Sequence, residues 1–302
     1  MRLRWLLLTV CLSGCVTGQD AMSQAAQNPS PMVDHTRAHE RIEERAQPGL
    51  RFAIEDLLDK PVEVYLPATH QAVPAARLLI HFHGASYVAE QAVYAASEPY
   101  VLAVVNLGSG SSVYERAFTD STTLSRLIAA IEGGLAQRLD HPPEISHTVL
   151  SAFSAGYGAA RALLRAEPTY QALDGVLLLD GLHTDYVPAR TPLADGGRLE
   201  TTKLDPFLKL ARDATQGTKR FLMAHSEIFP GTYASTTETA DYLIQRLDLA
   251  RTPVLQWGPV GMQQLSEVRR GHFTVLGFAG NSAPDHVDHL HALPHFLERL
   301  LE

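Results

Sequence analysis

The stretch VLSAFSAGYGAAR, residues 149–161, places one hydroxyl, Ser154, among alanines and glycines between an apolar run and a helix-forming segment. A serine attacks an electrophile only when a neighbour takes its proton, so chemistry here needs a base and a group that orients the base. Candidate bases crowd the carboxyl end, where GFAGNSAPDHVDHLHALPHFLERLL (277–301) carries His286, His289, His291 and His295. Candidate carboxylates stand at the ends of apolar runs: Asp180 closes GVLLLD, Glu227 follows FLMAHS, and Asp185 lies in the loop after Asp180. An aspartate closing a buried strand needs a partner to offset its desolvation. The competing reading makes Ser154 a helix N-cap in a small-residue turn and Asp180 a cap or loop tie.

These residues depend on elements that bring them to one end of a sheet. Apolar β-type runs occur at 51–58, 62–67, 77–83, 100–107, 146–153, 175–180, 219–225 and 271–280. Several are continuous, which suits strands buried on both faces of a parallel sheet. Helical patterns fill the gaps at 121–138, 155–166, 204–215, 236–248 and 287–301, with a short one expected over 34–46. The alternation predicts an α/β fold: a mostly parallel sheet of about eight strands with helices on both faces. Ligands then bind at the carboxyl ends of the strands, where Ser154 lies on the turn out of 146–153. Residues 182–202 form a long Pro/Gly-punctuated connection with the length of a functional loop.

The pattern Ala152-Phe153-Ser154-Ala155-Gly156, followed by Gly158, resembles the nucleophile elbow of the α/β-hydrolase family over roughly residues 50–302, with Ala152 where the family usually has glycine. A second feature is IHFHGAS (80–86), a strand ending in His-Gly. The resemblance implies an oxyanion hole made by the Ala155 N–H together with the loop at Gly84, Ala85 or Ser86. It implies the chain order serine, acid, histidine, and thus a Ser154–His286 pair oriented by Asp180. His289 stays open as the alternative base, and Glu227 as the alternative acid, at the strand end where the family more often keeps it. The implied activity is that of a serine hydrolase acting by acyl transfer on an ester or, second, an amide. No metal or organic cofactor is implied.

Two other classes remain. One is a metal-dependent hydrolase using His81, His83, His183, His225 and DHVDHLH (285–291), whose spacing matches no zinc motif. The other is a binding domain that keeps the fold without catalysis. Tyr87, Tyr94, Tyr114 and Phe118 form either an aromatic rim or ordinary loop packing.

The amino terminus, MRLRWLLLTVCLSGC, has the layout of a secretory signal, with an apolar run too short to span a bilayer. Leu12-Ser13-Gly14-Cys15 resembles the bacterial lipobox, implying removal of residues 1–14 and lipid on Cys15. Residues 15–48 then read as a polar tether and 49–302 as the folded domain. Val16, in place of an aspartate, points by analogy to the outer membrane. The two cysteines, Cys11 and Cys15, leave the domain without a disulfide, and a formal charge of −8 argues against nucleic acid as a partner.

Overall fold

The computed structural model of the chain describes residues 38–302, and one compact unit runs from His39 to Glu302. The expected signal segment, Cys15 and the first part of the expected tether lie outside the described residues. The compact unit thus begins ahead of Gly49. The helix expected over 34–46 does not form in its described part, where residues 38–46 have no regular structure. Their polar groups bond to the domain instead. The Ile42 N–H, which a helix would spend on a carbonyl one turn back, donates to His291 Nδ1 at 3.1 Å.

The sheet has ten strands in the order β1-β2-β4-β3-β5-β6-β9-β12-β11-β10. They are β1 (Gly49–Ile54), β2 (Val62–Pro67), β3 (Ala75–Phe82), β4 (Tyr100–Val105), β5 (Glu144–Phe153), β6 (Gly175–Leu179), β9 (Arg220–His225), β10 (Thr252–Trp257), β11 (Gln263–Arg270) and β12 (Phe273–Phe278). The run from β4 to β12 is parallel; β1 and β2 on one side, and β11 and β10 on the other, are antiparallel. Every residue of β4 and β6 is buried, as their unbroken apolar sequences require. The expectation of about eight strands missed β10 and β11. QQLSEVRR is polar-rich, and TPVLQW, the edge strand, leaves Leu255 and Trp257 in water, so neither reads as a buried apolar run.

Helices cover both faces. Helices α2 (Ser111–Ala117), α3 (Thr123–Ala136), α4 (Tyr157–Arg165), α6 (Asp205–Thr215) and α7 (Thr236–Arg246) pack on one core, with α5 (Glu167–Ala172) following α4. Helices α1 (Ser86–Ala95), α8 (Ala283–His291) and α9 (Leu293–Leu301) pack on the other. The single helix expected at 287–301 is therefore two, broken at Ala292 just ahead of Pro294. Each fully buried leucine, isoleucine or phenylalanine in these cores contributes roughly 1.5–3 kcal/mol. The long connection at 182–202 is tied to itself: β7 (Tyr186–Val187) pairs with β8 (Arg198–Leu199), and Thr184 Oγ1 donates to the Glu200 carbonyl at 2.6 Å. No helix among the described residues is long and apolar enough to cross a membrane.

Candidate active site

Strand β5 ends at Phe153, and Ser154 then takes φ 48° before a single 3-10 turn, Ser154–Gly156, leads into α4. A left-handed backbone costs an L-residue roughly 1–2 kcal/mol, and the surroundings fix it in place. A Cβ on Gly156 would strike the Phe82 carbonyl, one on Gly158 the Ser111 carbonyl, and one on Gly181 the backbone of Ser154 itself. The small residues around the serine follow from these close approaches. Phe153, not Ser154, holds the N-cap position, and no side chain caps the turn, so the N-cap reading of this serine does not describe it.

Gly181 belongs to the next strand end, and beside it is Asp180, also left-handed at φ 45°. Its N–H is pinned to the Ala224 carbonyl at 2.8 Å. Only 2% exposed, its carboxylate accepts bonds from His286 Nδ1 at 2.7 Å, the Ser226 N–H at 2.9 Å, Ser226 Oγ at 2.7 Å and Thr236 Oγ1 at 3.0 Å. Burial alone would lift this carboxyl. The His289 and His286 charges, with the bonds from His286 and Ser226, instead hold it well below the ordinary carboxylate range.

The helix expected from residue 287 begins earlier, so that His286 lies in the first turn of α8. Ser282 and Asp285 form a capping box that starts the helix before the histidine is reached. The His286 ring leans on Phe153, the residue before the serine, with centroids 4.6 Å apart. Because the buried carboxylate accepts from Nδ1, a neutral His286 ring keeps its lone pair on Nε2.

The alternatives sit elsewhere. Glu227 is exposed, and its N–H bonds to the Gly280 carbonyl at 2.9 Å. The strand end where an acid was sought instead presents Ser226, which clasps Asp180. Asp185 pairs with Lys203 at 2.5 Å. His289 is buried against Phe278 and Phe296, its Nδ1 bonded to the Asp285 carbonyl at 3.1 Å. The clasp by Ser226 was open to inspection at the end of the apolar run 219–225; nothing local marks Thr236.

Of the loop residues expected to bind an oxyanion, Gly84 is excluded by its bonding. Its N–H donates to Asn106 Oδ1 at 3.0 Å, and Asn106 Nδ2 returns a bond to the Gly84 carbonyl at 2.9 Å. Gly84 instead provides the turn, at φ 132°, with no room for a Cβ against Leu290. Ala85 follows as the N-cap of α1, and Ala155 lies in the opening turn after β5, where backbone N–H groups have no partner within the helix. His83, at φ 69°, meets Tyr114 Oη at 2.9 Å through Nδ1. That oxygen accepts the Leu107 N–H at 3.2 Å, which leaves its own hydrogen for the imidazole. Burial and the nearby His286 lower the His83 pKa. Tyr114 and Phe118 are buried and belong to the core, not to a rim.

The strand-end histidines do not gather round one point. His81 Nδ1 bonds Ser151 Oγ at 2.5 Å, His183 Nδ1 the Ala234 carbonyl at 2.8 Å, and His225 Nδ1 the Ser226 carbonyl at 2.9 Å. Among the described residues the grouping with metal-ligand spacing is His39, Asp285 and Asp288, in which Asp288 already accepts from Arg41.

No protein-family model and no curated protein matches the chain. Solved structures do. A serine-to-alanine mutant of the feruloyl esterase module from Clostridium thermocellum, complexed with sinapinate, is 12% identical with a TM-score of 0.50, covering 88% of this chain and 98% of that one. A second structure, of an FAE, is 13% identical with a TM-score of 0.50 over the same shares of the two chains. At these identities the likeness is one of fold. Together with the strand order and the turn at Ser154, it gives this chain the α/β-hydrolase fold.

Proposed function

We propose that this protein is a serine hydrolase that cleaves an ester by acyl transfer. The observation that carries the reading is the short bond from His286 Nδ1 to the buried Asp180, on an imidazole packed against the residue preceding a left-handed serine. Ser154 Oγ bonds to the carbonyl carbon as its proton passes to His286 Nε2. The charge that develops on the carbonyl oxygen is taken by the N–H groups of Ala155 and Ala85. Collapse of the tetrahedral species breaks the bond to the alcohol, which leaves with the proton from His286. Water then repeats the sequence on the acyl-serine, releasing the acid and restoring Ser154. Asp180 holds the Nδ1–H tautomer and stabilises the imidazolium. An ester is favoured over an amide because a feruloyl esterase shares the fold. The lipobox-like sequence supports a further part of the proposal: the enzyme is tethered by lipid on Cys15 in the bacterial cell envelope, at the outer membrane.

A fluorophosphonate probe applied to the full chain, with and without Ser154→Ala, tests the reading. Peptide mass spectrometry is expected to place the adduct on Ser154 in the parent and find none in the variant. A folded parent that takes no adduct rules the reading out in favour of a binding domain.

A further inference from the structure

The segment that enters the domain, residues 39–43, is bonded along the helix that carries His286. Arg41 Nη2 donates to the Pro284 carbonyl in the first turn of α8 at 2.9 Å. In the middle of the helix Asp288, with no exposed surface, accepts from Arg41 Nε at 3.0 Å and His39 Nδ1 at 2.6 Å. In the last turn His291 Nδ1 accepts the Ile42 N–H at 3.1 Å. One residue on, the Glu43 carbonyl accepts from Gln91 Nε2 of α1 at 2.7 Å. Helix α1 is the one whose N-cap is Ala85, the residue assigned an oxyanion-binding N–H. Five consecutive residues therefore bridge the helix of the base and the helix behind the oxyanion loop.

A buried carboxylate whose cation is removed must relax, and here the relaxing group lies two positions from His286 on the same helix. We propose that residues 39–43 are a positioning strap for the active site, with Arg41 acting on His286 through Asp288 and α8, so that the chain next to the tether is part of the catalytic machinery. The inference rests on the hydrolase reading above. It makes catalytic competence depend on a segment that an expression boundary at Gly49 would remove.

The test compares the full chain with Arg41→Ala and Arg41→Lys, using two readouts. One is the rate of fluorophosphonate labelling at Ser154, with kcat and KM for an aryl ester. The other is backbone hydrogen exchange of residues 283–291, which needs no activity. Arg41→Ala is expected to speed exchange in α8 and to slow labelling and kcat about tenfold with KM little changed, as for a displaced catalytic group; Arg41→Lys is expected to recover part of the loss. Should Arg41→Ala not fold, the double variant Arg41→Ala/Asp288→Asn leaves no uncompensated buried charge but still lacks the Arg41 bonds to α8, and is expected to show smaller changes in the same two readouts. Unchanged exchange overturns the strap. So does faster exchange with unchanged labelling, which would make it structural only. A parent that never labels overturns the hydrolase reading and the strap's catalytic role together, and exchange in α8 still reports whether Arg41 holds the helix.

Discussion

Asp180 Oδ2 and His286 Nδ1 lie 2.7 Å apart across 106 positions of sequence, and the carboxylate's other hydrogen bonds come from Ser226, just past β9, and Thr236 at the start of α7. The aspartate is thus held on the side away from solvent and hydrogen-bonds one imidazole, that of His286.

Replacing Asp180 with asparagine keeps the shape and discards the charge. An amide can hold the ring in the wrong tautomer, and kcat is expected to fall by about 10³–10⁴. Glu227→Ala, at an exposed carboxylate, is expected to leave kcat within about twofold, since it removes no contact to the imidazole. Steady-state kinetics of the two variants decide between the acids, and a reversed order would reassign the triad.

Ser226 donates two bonds to Asp180, one from the backbone and one from Oγ. Ser226→Ala removes only the second. A hydrogen bond to a charged group contributes about 1.5–3 kcal/mol, so a kcat loss of about tenfold is expected if most of it bears on the transition state. KM should stay near the parent value. An unchanged kcat would confine Ser226 to folding the loop.

The crossing of α2 and α4 at Gly158 has no room for a side chain, because an added Cβ would occupy the Ser111 carbonyl. Gly158→Ala is expected to destabilise by about 2–3 kcal/mol, the backbone being unable to yield as a side chain would. Gly133→Ala, on α3 with nothing within 4 Å of the new methyl, is expected to gain about 0.5–1 kcal/mol from helix propensity. Chemical denaturation of the two variants measures both signs.

Acid should weaken the fold through buried imidazoles. Burial lowers the pKa of His81 to about 3 and of His225 to about 4, from 6.5. The unfolded chain therefore binds more protons than the native one between those values and 6.5. The stability these groups contribute is complete above pH 6.5 and drains away as pH falls towards the folded values. At pH 5 each loss is about 2 kcal/mol by linkage. Asp180, with its lowered pKa, adds a loss of the same sign at lower pH. Thermal melts from pH 7.5 to 4.5 are expected to stay level down to about pH 6.5 and to drop below it, and His225→Gln to lessen the drop; a flat parent profile would contradict the burial of both rings.

What could be read from sequence was what local pattern encodes. Unbroken apolar runs marked the central strands, small residues marked the turn at Ser154, and the aspartate ending GVLLLD signalled a buried charge needing a partner. Helix α1 was legible too: Val88, Ala89, Ala92 and Val93 fall on one face. Other features are tertiary in origin. Thr236 reaches Asp180 and Asn106 occupies the Gly84 N–H only because distant segments converge, and neither residue stands in a pattern of its own. Edge strands β10 and β11 bury too little to show a period. The strap escaped because a charged, proline-bounded stretch has the composition of a linker, and only its contacts distinguish it.

His83, Ser154 and Asp180 all carry left-handed backbone at the carboxyl ends of neighbouring strands. Glycine would occupy each of these positions at lower conformational cost. The chain is therefore held away from its most restful form at three adjoining strand ends, where the candidate site lies. What the backbone loses at these points is offset by what the side chains bond: glycine at 180 would leave Ser226 and Thr236 without their acceptor, and glycine at 83 would free Tyr114 Oη.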